Sequence, residues 1–162
     1  MDSDEHIQTH LVSVWGEEKK FLKRGAEGML LLTEKHVMFV TKTEAKMKWW
    51  TTATDRQLRT LLKSNNIMIH QDGYNEEDLR RDLENDANLE FSFDRILNVD
   101  FEEKPWAPIL KLEINMGDKT KKYHFAIVGG WVKYPLKDPV KYVKVDWAPF
   151  VEYIKSRQKI TE

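Results

Sequence analysis

The chain has 162 residues and a formal net charge of −1, with 41% hydrophobic and 33% charged residues. This length and balance predict a soluble globular domain with a buried core. A charge near zero gives no general attraction to nucleic acid or to an anionic membrane. The sequence contains no cysteine, which excludes disulfides and thiolate chemistry and fits a cytoplasmic location. Residues 1–10 are polar and no long apolar run follows, so neither a signal peptide nor a transmembrane helix is predicted.

Strands and turns are predicted over the first part of the chain. Residues 11–15 are expected to form an apolar lead-in at the domain edge, residues 19–24 a first strand, and residues 25–28 a glycine-rich turn. Two apolar strands follow at residues 29–32 and 36–41. The polar turn between them predicts an antiparallel hairpin.

Residues 43–88 have a different character and predict two helices. Leucines recur among charged residues over residues 55–63, and Asn75 is placed to cap a second helix over residues 76–83. The apolar side chains of this segment are too few for a core of its own. We therefore expect a helical insertion that leans on the sheet.

Four segments in the second half alternate apolar and polar side chains with the period of two that is typical of strands. They are residues 89–93, 96–103, 109–115 and 121–127. Gly129 and Gly130 are expected to end the last of these strands, and residues 131–145 to form a long connection.

The chain is expected to end in an amphipathic helix over residues 146–159. Asp146 is a suitable N-cap, because its carboxylate can accept a hydrogen bond from a free amide of the first turn. Apolar side chains then recur at helical spacing, at Trp147, Phe150, Val151 and Ile154. Short antiparallel strands and one terminal helix predict a mainly β fold, in which the helix caps a partly open barrel.

Three stretches near the amino terminus resemble a known family. Gly16-Glu17, the leucine-rich strand from Gly28 to Thr33 and the hairpin strand beginning at His36 are similar to the opening of GRAM and other bacterial and archaeal pleckstrin-homology-like (PH-like) domains. His36 stands where such sequences often carry arginine, and the segment 43–88 is atypical of them.

The later strands and the Trp147 helix are similar to the second half of the same family. The resemblance implies one domain with two near-orthogonal sheets, a C-terminal helix and residues 43–88 inserted between core strands. It also implies a non-enzymatic module that binds lipid headgroups, peptides or proteins.

A basic cluster flanks the predicted first turn, where the resemblance places the phosphate contacts of phosphoinositide-binding PH domains. Its members are Lys19, Lys20, Lys23 and Arg24. Leu22 interrupts the family's basic pattern, and three neighbouring glutamates offset the charge. An ordinary solvated strand edge is the alternative that we favour.

Four tryptophans are candidate contact residues, because tryptophan buries a large area and keeps a polar group. They are Trp49, Trp50, Trp106 and Trp131. Trp49 and Trp50 are assigned to the end of a strand, and at least one of them is expected in the core. Trp106 and Trp131 lie in proline-containing loops with lysines, which either form a contact surface or cover the ends of the barrel.

The sequence shows none of the motifs that carry common chemistry. Its five histidines have no metal-ligand spacing, and it has no nucleophile elbow, phosphate-binding loop or dinucleotide motif. We therefore predict no metal, no cofactor, no nucleic acid partner and no recognisable small-molecule substrate. The predicted function is a non-enzymatic, cytoplasmic module that binds a protein or peptide. The alternatives are peripheral binding of anionic lipid headgroups and, third, an enzyme whose site forms only on folding.

Overall fold

A computed structural model describes residues 1–20, 24–44, 47–64, 66–132 and 137–161, with side chains for all of these except residues 47–49 and 159–161. The described chain forms eight strands and three α-helices, and a 3₁₀ turn at Phe93–Arg95. In chain order the elements are β1 (Thr9–Glu18), β2 (Ala26–Leu32), β3 (His36–Val40), α1 (Met47–Ser64), α2 (Glu76–Asp82), β4 (Leu89–Ser92), β5 (Ile96–Glu103), β6 (Pro108–Asn115), β7 (Thr120–Val132), β8 (Asp138–Tyr142) and α3 (Ala148–Thr161).

The strands form one curled antiparallel sheet in the order β4-β3-β2-β1-β7-β6-β5, and β8 pairs with the far part of β7. Strand β1 lies at its centre, because it pairs with β2 on one side and with β7 on the other. The predicted hairpins β2–β3 and β6–β7 are present. Gly117 takes the positive φ of 91° in the turn between β6 and β7, a conformation that glycine adopts without steric cost.

Alternate side chains of β2 and β3 enter two separate hydrophobic cores. Leu30, Leu32, Val37 and Phe39 join the larger inner core, which the curled sheet encloses. The other faces of β2 and β3 enter a smaller outer core, formed by Ile7, Val12, Met29, Leu31, Met38, Val40, Ala53, Tyr74 and Leu79. Segment 43–88 supplies three of these outer residues. The two hairpin strands are therefore buried on both faces.

Helix α3 caps the inner core, and its predicted apolar face is confirmed. Trp147, Phe150 and Ile154 are each 0% exposed, and Asp146 Oδ1 accepts a hydrogen bond from the Ala148 N–H at 2.9 Å. The Trp147 indole N–H donates to the Pro108 carbonyl oxygen at 3.3 Å, which ties the helix to the start of β6. The predicted cap of the second helix is also confirmed, since Asn75 and Asp78 form a reciprocal capping box at the start of α2.

Strand β1 carries a bulge at Ser13, whose φ is 55°. The register between β1 and β2 shifts between Leu11 and Val14, and β7 pairs with β1 only from Val14 onwards. The peptide groups of Val12 therefore meet no strand on the β7 side.

Helix α1 replaces the missing strand next to Val12. The Val12 N–H donates to Gln57 Oε1 at 2.8 Å, and Gln57 Nε2 donates to the Val12 carbonyl oxygen at 2.7 Å. The His10 N–H donates to the Ile69 carbonyl oxygen at 2.8 Å in the same way. These bonds bring Leu61 and Ile67 into the inner core, so the segment 43–88 leans on the sheet as expected.

Two strand predictions near the amino terminus are wrong. Residues 11–15 lie in the central strand β1 and not at the domain edge, because helices cover the face of β1 that the sheet leaves open. The predicted first strand over residues 19–24 is absent from its described part, since β1 ends at Glu18 and both Lys19 and Lys20 follow it.

Two later predictions are also wrong. Trp50 lies in α1 and not at the end of a strand. Strand β7 continues through Gly129 and Gly130 to Val132. Glycine suits both positions, because a Cβ there would lie only 3.3 Å from the side chain of Val143 or Lys141 on the adjacent segment. Strand β8 therefore lies inside the predicted connection.

Trp147 and Trp106 form a matched pair for a test of the cap. Trp147→Ala is expected to lower the free energy of unfolding by about 3–5 kcal/mol, because it removes a fully buried aromatic side chain. Trp106 is 62% exposed, so Trp106→Ala is expected to change it by less than about 0.5 kcal/mol. Urea unfolding of both variants measures the difference, and equal losses would contradict the assigned cap.

Gln57→Leu tests whether the hydrogen bonds from the Gln57 side chain to the Val12 backbone stabilise the fold. We expect a loss of about 3 kcal/mol, because two buried peptide groups of Val12 lose their partners while side-chain volume is kept. Arg59→Leu on the exposed side of α1 is the control, and it should leave the unfolding midpoint nearly unchanged. If the two variants unfold at the same urea concentration, the Val12 pairing does not stabilise the fold.

His10 provides a prediction of pH dependence. The side chain is 0% exposed, with Nε2 lying 3.0 Å from Met29 Sδ and the ring 4.8 Å from that of Tyr74. Burial, with a smaller contribution from His70, lowers the pKa of His10 from 6.5 to about 3. Between these two values the unfolded chain binds a proton that the folded chain does not. Stability is therefore lost as the pH falls from 6.5 towards 3.

The maximum slope from this one group is about 1.4 kcal/mol per pH unit. His10→Gln removes the titrating group, so its unfolding free energy should fall less steeply than that of the wild type between pH 6.5 and 4. Denaturant unfolding across this pH range measures both slopes. Parallel curves would show that His10 does not titrate as described.

Candidate functional site

The end of the barrel next to the β1–β2 connection holds a cavity of about 220 Å³, here called the mouth cavity. Its lining includes Arg24 and Lys121, but also Glu17 and Glu18. Lys121 Nζ lies 3.3 Å from the buried Glu18 carboxylate. Burial, followed by the charge of Glu18, raises the pKa of Tyr123 in the cavity wall to about 12. A phosphate group placed here would face two carboxylates as well as two cations.

The described members of the predicted basic cluster do not converge. Lys19 Nζ lies 3.5 Å from Glu17 Oε1, and Lys20 is exposed outside the mouth cavity. Lys23 lies outside the described residues. Arg24 lines the mouth cavity, but its guanidinium donates to the Lys137 carbonyl oxygen at 3.1 Å and forms an ion pair with Asp138.

Arg24 instead belongs to an aromatic and cationic cluster, here called the tryptophan cluster, formed by Trp15, Arg24, Trp131 and Lys137. The rings of Trp15 and Trp131 lie 6.0 Å apart, Arg24 stands 5.9 Å from the Trp15 ring, and Lys137 Nζ stands 5.0 Å from the Trp131 ring. Such cations over indole faces are attracted by the negative face of the ring. The cluster joins the β1–β2 connection to the β7–β8 hairpin.

Two backbone features hold the tryptophan cluster in place. A Cβ at Gly25 would lie 2.5 Å from the Trp15 ring, so the close approach of this ring requires glycine. The Trp131 indole N–H donates to Ser13 Oγ at 3.0 Å, and Ser13 Oγ donates to the Val128 carbonyl oxygen at 3.3 Å. The β1 bulge therefore also fixes the second indole.

A larger depression of about 450 Å³ lies on the outer side of the sheet, here called the outer groove. It runs between the β2–β3 hairpin and the neighbouring parts of α1 and α2, and Lys137 of the tryptophan cluster lines it. The lining residues are Glu27, Gly28, Val40, Thr41, Lys42, Thr43, Glu44, Trp50, Arg81, Asp82, Asn85 and Lys137. Three cations and three carboxylates therefore share one groove with an indole.

Asp82 anchors one wall of the outer groove. It is only 6% exposed, and its Oδ2 accepts hydrogen bonds from the Tyr74 hydroxyl at 2.5 Å and from Thr43 Oγ1 at 2.7 Å. Burial, followed by the hydrogen bond to Asp82, raises the pKa of the Tyr74 hydroxyl above its usual range. Asn88 Nδ2 bonds the carbonyl oxygens of Asp82 and Lys42, each at 2.7 Å. These bonds fix the groove wall to the end of β3.

The four predicted tryptophans are distributed over different places. Trp50 lines the outer groove and packs against the outer core, and Trp131 belongs to the tryptophan cluster. Trp49 lies in α1, but its side chain is outside those described. Trp106 stands apart in the β5–β6 turn, 6.0 Å from Lys104 Nζ.

The sequence did not mark Trp15, Lys42 or Arg81 as contact residues, and it indicated Lys137 only as one of the lysines in the Trp131 loop. No local pattern marks Trp15, because the glycine that its ring approaches is Gly25 and not its chain neighbour Gly16. The others are ordinary surface charges in the sequence, and only their common groove distinguishes them.

Two features are absent from the part of the chain that the structure describes. No group of three or more histidine, aspartate or glutamate side chains there is placed to hold a metal ion. None of the described helices is both long and apolar enough to cross a membrane.

Comparison with known proteins gives one informative likeness. No protein-family model matches the sequence, and no curated protein matches it. Among solved structures, the chain is similar to the Vps36 N-terminal PH domain, with a TM-score of 0.50 and 11% sequence identity. The match covers 100% of this chain and 86% of that chain. This likeness confirms the predicted PH-like fold, with its curled antiparallel sheet and C-terminal helix.

Proposed function

From the PH-like fold of this chain we propose a non-enzymatic module that binds a protein or peptide. The outer groove is the proposed contact surface, with the tryptophan cluster on its flank. The observation that carries this proposal is the composition of the groove, where an indole and charges of both signs line about 450 Å³. A polypeptide presents apolar, cationic and anionic groups together, so it complements such a lining.

The charges of the groove favour a polypeptide over a phosphorylated ligand. Lys137 Nζ is already paired with Glu27 Oε1 at 2.7 Å. Arg81 has Asp78 at 3.8 Å, and the groove also contains Glu44 and Asp82. A phosphate needs several unopposed cations that converge on it, and the described residues of the groove do not provide them.

The second candidate function is peripheral binding of an anionic lipid headgroup in the mouth cavity. Arg24 and Lys121 favour it, because both line a cavity at the end of the barrel. Glu17 and Glu18 line the same cavity and reduce its attraction for phosphate. We therefore rank lipid binding below protein binding.

We further propose that residues 1–162 form one domain and that residues 43–88 are an insertion into the PH-like core. The contributions of this segment to both hydrophobic cores support that proposal. A cytoplasmic location is part of the same proposal and is supported by the absence of cysteine.

The test uses peptides of random sequence displayed on phage and selected on the wild-type protein. Selected peptides are then measured by fluorescence anisotropy against Lys42→Glu/Arg81→Glu, which reverses two groove charges. We expect binding at least about tenfold weaker, since like charge then faces the anionic groups of the peptide. Lys122→Glu/Lys144→Glu changes the same charge at exposed positions elsewhere and should bind as the wild type does.

Vesicles of phosphatidylcholine, with and without phosphatidylinositol phosphates, test the second candidate in a salt series. We expect weak sedimentation of the protein with either vesicle at physiological salt, where exposed charges are screened beyond about 8 Å. Tight, salt-sensitive sedimentation that Arg24→Glu/Lys121→Glu abolishes would reverse the ranking.

Peptides that bind the groove variant and the control equally would refute the outer groove as the contact surface.

A further inference from the structure

Strand β4 is an edge strand with outward peptide groups. It pairs with β3 through His36↔Ser92, Val37↔Phe91 and Met38↔Glu90. The Phe93 N–H donates to the Lys35 carbonyl oxygen at 2.9 Å, so hydrogen-bonded pairs alternate from that point along the ladder. The N–H groups of Glu90 and Ser92 therefore point away from β3, towards the free edge.

A slot of about 320 Å³ lies along this free edge, here called the edge slot. One wall is the β4 chain from Glu90 to Ser92, and the other is the end of β6 from Ile114 to Met116. Phe91 and Ile114 belong to the inner core and form the floor of this slot. The slot thus places backbone donors beside apolar side chains, which is the combination that an added strand uses.

The rim of the edge slot carries an exposed cation. Arg95 lines the slot, and its guanidinium forms no ion pair or hydrogen bond with another described residue. Leu97 and Met116 are large apolar side chains that are 56% and 38% exposed, close to the same end of the β5–β6 pair. The side chain of Glu90 points to the outer face, since its neighbour Phe91 points to the inner core.

The other edge strands of the sheet are less suited to pairing with an added strand. Helix α3 packs against β5, the strand at the opposite end of the sheet. Strand β8 contains Pro139, which has no N–H to donate. Among the described strands, β4 is therefore the edge that combines outward N–H groups with a slot for side chains.

We propose that β4 pairs with an extended, acidic segment of a partner protein, which adds a strand to the sheet in the edge slot. The outward N–H groups of Glu90 and Ser92 donate to carbonyl oxygens of the added segment. Its apolar side chains contact Phe91, Ile114 and Met116, and a carboxylate of the segment pairs with Arg95. This site is separate from the outer groove, so its test is independent of the proposed function.

Ser92 allows a test that changes a single N–H group. Its φ is −64° and its ψ is 142°, values that proline adopts without strain, and its N–H makes no bond to β3. Ser92→Pro therefore removes one outward donor and keeps the ladder. Ser92→Ala is the matched control, because both variants lose the hydroxyl that accepts the Asp94 N–H at 3.3 Å.

Phage-displayed peptides of random sequence are selected on Lys42→Glu/Arg81→Glu, so that peptides which depend on the outer groove are lost. Synthetic versions of the retained peptides should bind the wild type and Ser92→Ala alike, and Ser92→Pro about tenfold more weakly, through the loss of one buried hydrogen bond. They should be rich in aspartate or glutamate. Arg95→Glu should weaken them at least tenfold, whereas Arg95→Lys should keep most of the binding.

Amide hydrogen exchange provides a readout that does not depend on a variant. The N–H groups of Glu90 and Ser92 should exchange rapidly in the free protein and become protected when a selected peptide is bound. Peptides that bind Ser92→Pro as tightly as Ser92→Ala would overturn the proposal. So would protection that appears without peptide and rises with protein concentration, since that result assigns the edge to a second copy of this chain.

Discussion

The pairing of Gln57 with the backbone of Val12 is the interaction on which the rest of the fold depends. Strand β7 pairs with β1 only from Val14 onwards, and the peptide groups of β1 that this leaves open need partners. A carboxamide offers both an acceptor and a donor, as a strand residue does, and Gln57 meets both groups of Val12 within 2.8 Å. The same bonds hold α1 in the gap, where Leu61 reaches the inner core and Ala53 the outer core.

Both faces of the β2–β3 hairpin are covered, so neither face as a whole is open to a ligand. The segment 43–88 occupies the outer face of the sheet, and α3 closes the inner core. Three depressions of the described surface lie at boundaries between elements. The outer groove lies between sheet and helices, the mouth cavity at an open end, and the edge slot beside β4.

Charge pairing decides which of these surfaces suits which ligand. Cations near the mouth cavity and the tryptophan cluster have carboxylates close by, as in the pairs Lys121–Glu18, Lys137–Glu27 and Arg24–Asp138. Paired cations attract a phosphate less, because a bound anion must compete with the carboxylate already present. Arg95 differs, since it stands beside a slot with outward peptide groups and pairs with no described residue. This contrast is why an acidic polypeptide is the partner proposed for β4.

The sequence by itself determined the features that depend on neighbours a few residues away. Apolar runs located β2 and β3, and side-chain alternation located β4, β5 and β6. Asn75 located the start of α2, and helical spacing located the buried face of α3. Only the tertiary structure decided that β1 is central, that β7 runs past two glycines, and which surface residues share a groove. Gln57 and Val12 are separated by 45 residues and Trp131 and Ser13 by 118, so no local pattern indicates either contact. The same holds for the edge slot, because its two walls come from strands that are remote in sequence and meet only when the sheet curls.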